Sequence, residues 1–484
     1  MTAPTASVDP ADIVNTVLNS YEFALAEGSL VTIPRDPGEP HRASPVKDVS
    51  AAVTRLAWEC VGSGAPTRDL VAATATLAAI ASAAPARDVA LRAVEQPDAL
   101  VLDLARPGEV RGAVHVTASG WAIVEPRTVG VLFGSSRATE PLPVPVRGGS
   151  RDILAGILGL SPRSAAFRLV WGWLVCALFS SMPRPVLAVT GPTGAGKSTL
   201  ARMVKSILDP ALGASGREGV LGAAPTDDHA ANTASAASHF VPTWDNVTHV
   251  AADVAAWFAS LVTGVASIRE SRGTGLHCST LRRTGILTTA TLPEGLGADM
   301  RERLVTVELP RIAASARRTE RALWEEFRAQ HPAILGALLD DVVGVLALLD
   351  HAGTEPTELA RMADYHEHLV ALDLHLDTDP SNADSYAATY ADSVADGRKG
   401  DLFATAIARL AADGWEGTAT ELRDALALVR PRDAGAHWPS GPSQVARALT
   451  QHSDALTEHG VTVHRITRDS GRRRLYLLDF DPTP

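Results

Sequence analysis

Lysine is scarce in this 484-residue chain. Of its 44 basic residues, Lys47, Lys197, Lys205 and Lys399 are the lysines, and beside the abundant alanine that imbalance reads as coding bias, not function. Cysteine is scarce as well. Cys60, Cys176 and Cys278 lie far apart, too few for a disulfide framework and without the paired spacing of a zinc site, so a reducing cytoplasm is the expected compartment. An excess of positive charge is missing: 44 Lys+Arg against 55 Asp+Glu give a formal net charge of −11. Whole-molecule attraction to nucleic acid or to an anionic membrane is thereby excluded, and any contact with a polyanion has to be local. The most apolar stretch, residues 169–179, follows Arg168 and is 11 residues long, against roughly 20 for a bilayer span. It reads as a buried core helix, and no membrane partner is expected. The first ten residues hold an acid and no basic segment leading into an apolar run, so no secretory leader is expected. No internal repeat is visible. What remains is chain enough for two or three globular domains with their own cores.

Four zones succeed one another. Residues 1–145 combine a short helical pattern (Ile13, Val14, Val17, Leu18), strand-like pieces over 21–33 and an alanine-rich helix pair near 46–60 and 67–83. Short alternating runs come next, at Ala99–Asp103, Ala113–Thr117 and Gly120–Val124. This α+β region holds no chemical motif, and residues 140–150, with three prolines and two glycines, read as its boundary. Residues 146–350 alternate apolar strand-like runs with helices, the pattern of a parallel sheet with helices on both faces. Residues 351–400 are polar and helical, with a turn-rich break at 378–382. Residues 401–484 read helix, turn, helix, turn, helix and two strands.

One motif is specific. The β-branched run 185–190 is followed by Gly191, Pro192, Thr193, Gly194, Ala195, Gly196, Lys197 and Ser198, then by an apolar-periodic helix with Thr199, Leu200, Met203, Val204 and Ile207. Strand, GxxxxGKS, helix is a phosphate-binding arrangement: glycines let backbone N–H groups turn inward around a β-phosphate, and the helix N-terminus adds partial positive charge. Gly191 to Thr199 are therefore the expected ATP-binding residues, with Lys197 reaching the β and γ phosphates and the Ser198 hydroxyl ligating Mg²⁺. The best candidate for a metal-holding acid at a second strand end is Asp245, after the run 240–244. Asn246 stands where a water-polarising glutamate would be, and the alternative role for Asp245 is to cap a helix starting near Ala251.

In this order of elements the chain resembles the AAA+ ATPase modules of phage- and plasmid-type primase-helicases, related to the superfamily 3 helicases, over roughly residues 110–480. The elements are the loop, Asp245-Asn246, the Trp257 helix, Thr263-Gly264 with Arg269, the strand 285–290, the run from Asp299 to Arg303 and the strand 304–309. Arg361 with Asp364-Tyr365, and the run from Trp415 to Ala419, complete the set. The resemblance implies a P-loop AAA+ core in which Thr288 takes the sensor position, where the family tends to have asparagine. It implies that Arg303 reaches a neighbouring subunit's nucleotide as a finger, with Arg301 as the alternative and a solvated arginine pair as the plain one. Arg361 would be a lid arginine or a helix cap. The resemblance further implies a homo-oligomeric ring, a hexamer by the family's habit, whose hairpin before the sensor strand tracks a single strand of DNA in the channel. Arg269, Arg272, His277, Arg282 and Arg283 give that stretch local positive charge, although a solvated face carries such a run too.

Residues 402–410, 418–428 and 443–459 read as three helices, the second opening on a capping box of Thr418 and Glu421. Residues 461–467 and 473–480 alternate as strands around Asp469-Ser-Gly471. Three helices and a hairpin predict a winged-helix domain, with Arg447 beside Ser443 and Gln444 on the groove-facing helix and Arg465, Arg468, Arg472, Arg473 and Arg474 on the wing. DNA contact is the expectation there and protein docking the alternative. His366, His368 and His375 lack metal-binding spacing and read as surface polar residues. Together these residues predict an α/β ATPase that uses ATP and Mg²⁺ as a ring-forming motor on DNA, a replicative helicase of a phage, plasmid or integrative element. The rival is a nucleotide-controlled DNA-binding or defence ATPase that assembles without unwinding, which the missing glutamate favours. A small-molecule kinase would leave the downstream arginines and the C-terminal module unexplained.

Overall fold

The computed structural model describes residues 9–26, 29–46, 55, 67–134, 139–211, 219–271, 275–293, 295–352, 361–377, 381–399, 402–430, 438–468 and 473–481. The chain divides into two units, Met1–Tyr390 and Ala391–Pro484. In the first, the Asp9 carboxylate accepts the Ala11 N–H and starts α1 (Pro10–Ser20), whose Ile13, Val14 and Val17 are buried as their spacing predicts. β1 (Tyr21–Ala26) and β2 (Ser29–Pro34) pair antiparallel, and β2 pairs with β3 (Arg42–Pro45). α2 (Thr67–Ser82) packs Ala73, Leu77 and Ala81 into a cluster with α1; its expected partner helix lies almost wholly outside the described residues. β4 (Ala93–Gln96), β5 (Ala99–Asp103), β6 (Ala113–Thr117) and β7 (Gly120–Val124) form an antiparallel meander, and β8 (Phe133–Gly134) runs parallel to β3. β5 to β7 coincide with the alternating runs of the sequence, whereas β4 has all four residues half-buried and carries no alternation to read.

One face of the meander shares a core with residues farther along the chain. Leu100, Leu102, Val114, Val116 and Trp121 belong to one buried cluster with Val186, Leu187 and Val189, and residues 140–150 run along that core. Leu142 N–H donates to Leu104 O at 2.8 Å and Val146 N–H to Pro332 O at 2.9 Å. The segment passes so close to Gly336 that a Cβ there would lie 1.8 Å from Val146 O.

α3 (Arg151–Leu158) and α4 (Ala165–Cys176), capped by Ser150 and Ser164, lead into the parallel sheet. α4 is the buried helix the apolar stretch predicts, and its two indoles are satisfied: Trp171 Nε1 donates to Asp341 at 2.6 Å and Trp173 Nε1 to Pro185 O at 2.9 Å. Then come β9 (Val186–Thr190), α5 (Lys197–Leu208), α6 (His229–Ser238), β10 (Thr243–Trp244), α7 (Ala252–Thr263) and the hairpin of β11 (Val265–Ser271) with β12 (Gly275–Leu281). β13 (Ile286–Thr288), α8 (Gly297–Arg301) and β14 (Leu304–Glu308) come after it. β10, β13, β9 and β14 make, in that order, an all-parallel sheet. Every residue of β9 is buried, and each large aliphatic side chain withdrawn from water there contributes about 1.5–3 kcal/mol. β10 is short because Pro242, just before it, has no N–H to give to a ladder.

α9 (Glu320–Leu348) overturns the expectation that no segment is long and apolar enough for a bilayer; with the turn after it, it is, by length and composition. Trp324, Phe327, Leu335, Leu338 and Leu339 are buried, and the helix packs on α3, α4, α5, β6 and β7. Its Asp340 accepts Trp121 Nε1 at 2.7 Å. His331, buried near Ile207 O, has its pKa pushed by burial down to about 4. A folded value below the ordinary 6.5 means stability that is present above 6.5 and lost as pH falls towards about 4, at most about 1.4 kcal/mol per pH unit. Urea midpoints at about pH 7 and about pH 5 should show this acid loss in the native chain and not in His331→Gln.

α10 (Ala363–Leu376) and the start of α11 (Asn382–Lys399) complete the unit. His368 is buried edge-on to Phe179, with 4.8 Å between ring centroids, and its Nδ1 lies 2.7 Å from Asp364 O, so the expectation of a surface residue fails there. His375 lies 3.5 Å from Asp341. Among the described residues no cluster of His, Cys, Asp and Glu is arranged to hold a metal.

The second unit contains α12 (Leu402–Ala411), β15 (Trp415–Thr418), α13 (Ala419–Leu428), α14 (Pro442–Gln451), α15 (Ser453–Glu458), β16 (Val461–Arg468) and β17 (Arg473–Phe480). Phe403, Ile407, Leu422, Leu426, Val445, Leu449 and Leu478 form its core. The capping box is present: Thr418 N–H donates to Glu421 Oε2 at 2.7 Å, and Glu421 N–H returns to the Thr418 hydroxyl at 3.3 Å. Two expectations are corrected. The third helix is two, because the chain leaves helical geometry at His452 (φ −102°, ψ 19°). A third strand, β15, pairs with β17; with Trp415 its one large apolar residue, it carries no alternation to read.

Candidate nucleotide site

The loop between β9 and α5 lies where a parallel strand ends and a helix begins, the crevice position of open α/β sheets. Gly191 (φ 136°), Gly194 (φ 83°) and Gly196 (φ 83°) hold left-handed backbone. A Cβ on Gly191 would sit 2.4 Å from Leu309 O, so only glycine fits that position. Pro192, Thr193 and Gly194 are exposed, Ala195 is buried, and Gly196, Lys197, Ser198 and Thr199 are half-buried. The Lys197 ammonium folds back on the loop, donating to Gly191 O at 2.8 Å and to Pro192 O at 3.1 Å.

Across the crevice the Ser198 hydroxyl donates to Asp245 Oδ1 at 2.9 Å, and the Thr288 hydroxyl donates to the same oxygen at 2.5 Å. Thr288 Oγ1 in turn accepts the Asn246 N–H at 2.9 Å. Parallel pairing of β10, β13 and β9 thus brings Ser198, Asp245, Asn246 and Thr288 into one bonded group, at the foot of the loop that carries Lys197. Asp245 does not cap α7, whose N-cap is Ala251, without a side-chain bond. Asn246 is exposed and holds φ 54°, a left-handed conformation that asparagine tolerates better than most residues. Two hard oxygen donors, one of them anionic, at the first turn of a helix suit Mg²⁺ beside a phosphate. Leu309 and Ile312 also line the loop, the Ile312 Cδ1 lying 3.1 Å from where a Gly196 Cβ would be. No motif marks them in sequence; they arrive because β14 pairs with β9.

Arg303 pairs with Asp299 at 2.5 Å, Asp299 also takes Arg361 at 2.7 Å, and Arg361 reaches Glu302 at 2.8 Å. Burial raises the Asp299 pKa, but the bond and charge of Arg303, joined by Arg361, outweigh it and hold the carboxyl below its usual range. Arg301 is partnered as well. Of the basic residues expected to meet DNA, Arg269 and His277 are backbone register partners in β11 and β12, and Arg272 lies outside the described residues. Arg282 and Arg283 correct the picture of an outward basic run. They stand half-buried at the hairpin's foot, Arg282 bonded to Ser180 O and Ser181 O and Arg283 to His239 O at 3.1 Å. In the second unit Arg447 is exposed on α14. Arg468 and Arg473 are register partners at the turn end of the β16–β17 hairpin, and Arg472 lies outside the described residues. Arg465 donates to the Thr450 hydroxyl at 2.9 Å and stands over the Tyr476 ring.

The model of a family described as the actinomycete integrative conjugative element replication protein matches residues 152–396, and that of the AICE RepA C-terminal domain matches residues 403–482. No curated protein matches the chain. Similar solved structures include an apo A form of the NrS-1 C terminal region, at 11% identity and a TM-score of 0.40, covering 98% of this chain and 100% of that one. Another apo structure of the same region has 11% identity and a TM-score of 0.42, covering 97% and 99%. JCV helicase bound to a thiazolopyridine-phenoxyphenyl acetamide has 14% identity and a TM-score of 0.26, covering 51% and 66%.

Proposed function

We infer, from the premise that this chain belongs to the actinomycete integrative conjugative element replication proteins, that it is an AAA+ motor hydrolysing ATP and acting on DNA in the cytoplasm as the element's replicative helicase. The observation that carries this is the meeting of the Ser198 and Thr288 hydroxyls on one Asp245 oxygen at the foot of a GxxxxGKS loop. In this reading Gly191 to Thr199 cradle the phosphates, and Lys197 exchanges the Gly191 and Pro192 carbonyls for phosphate oxygens. Ser198 and Asp245 would hold Mg²⁺, which neutralises phosphate charge when bound. Thr288 orients the attacking water, because Asn246 offers no carboxylate for that task.

Residues 146–350 are the proposed ATPase core, 351–400 a helical lid and 401–484 a winged helix, with residues 1–145 an α+β region. DNA would pass the hairpin at Arg269, Arg272 and His277 and meet the C-terminal unit at Arg447, Arg468, Arg472 and Arg473. Arg303 would leave Asp299 to act on a neighbouring subunit's nucleotide in a ring, a hexamer. Arg303→Ala should then bind ATP as the native chain does while turnover falls on the order of 10³-fold. Full turnover in that variant removes the finger assignment. The reading as a whole is tested by Mg·ATP turnover with and without single-stranded DNA, measured beside oligomeric mass; a chain that neither hydrolyses ATP nor assembles refutes it. Asn246 favours a second reading, a nucleotide-controlled DNA-binding protein that assembles without unwinding. A forked-duplex assay separates the two, since only the motor displaces a strand.

A further inference from the structure

β4 carries no motif, yet its Glu95 joins two parts of the first unit. Glu95 Oε2 accepts the backbone N–H groups of both Ser180 and Ser181, each at 2.7 Å. The carbonyls of the same two residues accept from Arg282 Nη1 at 3.2 and 3.3 Å. Arg184 braces the other side, Nη1 donating to Ala177 O at 2.9 Å and Nη2 to Arg282 O at 3.2 Å. The 180–181 turn is therefore gripped on its N–H groups by an acid of the N-terminal meander and on its carbonyls by an arginine at the foot of the β11–β12 hairpin.

Chain continuity gives this grip a consequence. β12 ends at Leu281, Arg282 is next, and β13 ends at Thr288, the residue bonded to Asp245. Arg282 thus lies six residues before Thr288, roughly 20 Å of extended chain. Thr288 at the crevice lies on the run of chain that leaves the hairpin, and Arg282 is the first of the residues that hold that run, before Arg283 on His239 O and Thr284 on Pro185 O. The charges around it are unbalanced. Burial, then Arg283 and Arg282, lower the Arg184 pKa to about 9, while Glu95 acts in the opposite sense. Removing that acid leaves two N–H groups without their acceptor and the guanidinium groups without its charge.

We propose that Glu95 is a positioning residue: through the Ser180–Ser181 turn and Arg282 it fixes the hairpin's foot relative to the strand ending at Thr288, and so sets how strongly DNA at the hairpin changes ATP turnover at the Ser198–Asp245 crevice. The N-terminal meander is then a part of the motor that couples its two sites. This rests on the reading of the chain as a DNA-coupled ATPase.

The test uses the full chain, with turnover of Mg·ATP titrated against an oligo-dT strand and thermal melts recorded in parallel. Glu95→Ala should keep basal turnover and lose the DNA stimulation, or need about 5-fold or more DNA for it, the lower end of ordinary coupling between sites. Glu95→Gln, whose amide oxygen can accept both N–H groups, should keep the stimulation. If Glu95→Ala is stimulated like the native chain at the same DNA concentration, the positioning role is overturned and the ATPase reading stands. If the native chain is not stimulated by DNA at all, the reading falls and the inference with it. A measurement free of any variant is amide hydrogen exchange with and without a non-hydrolysable Mg·ATP analogue. Changed exchange at Ser180 and Ser181 is expected, and unchanged exchange there overturns the proposal.

Discussion

Replacing Lys197 with alanine should lower ATP turnover on the order of 10²- to 10³-fold or more, the size of loss that accompanies removal of one group aimed at developing charge. The residue is half-buried in the first turn of α5, and its ammonium is bonded to the carbonyls of Gly191 and Pro192. Those carbonyls sit on the loop itself, so the cation is held where an incoming phosphate can take it over. Its loss should leave stability within about 0.5 kcal/mol of the native chain, as for substitutions that touch no buried network. Phosphate release and a melt measured on one preparation separate the two effects. Turnover that survives in Lys197→Ala with an unchanged melt ends the assignment of the crevice. Asp245→Asn should fall by a similar factor, because it keeps the shape but weakens an anionic acceptor shared by Ser198 and Thr288.

The largest structural effect should come from Asp209, at the end of α5. Its carboxylate accepts Lys205 Nζ at 2.7 Å and the Val241 N–H at 3.0 Å, and Arg92 stands 3.8 Å away. All three ionic side chains are buried, Arg92 at 0% exposure and Lys205 at 1%. Asp209→Ala leaves two cations without their acid and should cost about 3–5 kcal/mol, the usual range when one partner of a buried pair is removed. Asp209→Asn keeps an acceptor and should cost less. Urea unfolding of the full chain measures both, and a loss under about 1 kcal/mol for Asp209→Ala contradicts the account. The same geometry sets the direction with pH. Burial pushes the Asp209 carboxyl up, but Lys205 and Arg92 pull it further down, below its ordinary 3.8. Its contribution is therefore complete above that value and is lost only as the solution is acidified past it.

Asp209 and Glu95 show why parts of the molecule are not legible in the sequence. Neither stands in a motif, because each acts on backbone groups far off in sequence: Val241 N–H for one, Ser180 and Ser181 N–H for the other. The same holds for Arg282 and Arg283, which composition groups with DNA-contacting residues and which the fold bonds to carbonyls of the first unit. Charge in a sequence gives sign without direction, and a guanidinium is turned inward or outward by neighbours the local pattern does not contain. His368 escapes a local reading for that reason too, its ring buried against Phe179 from α4's end. The meander is legible as three strands yet not as part of one core with β9, since packing between sheets leaves no periodic mark.

By itself the sequence determined the GxxxxGKS loop between a buried strand and a helix, the parallel sheet's apolar strands, the Thr418 cap and the C-terminal hairpin after its helices, though not β15 or the break at His452. Each is set by local requirements: positive φ at glycines, a side chain within reach of its own backbone, apolar residues at the period of their element. Only the tertiary structure decided that Asp245 meets Ser198 and Thr288 instead of capping a helix, that Arg303 rests on Asp299, and that Glu95 holds the foot of the hairpin. Those contacts depend on which strands lie side by side and in what register, and that choice is made by burial over the whole chain.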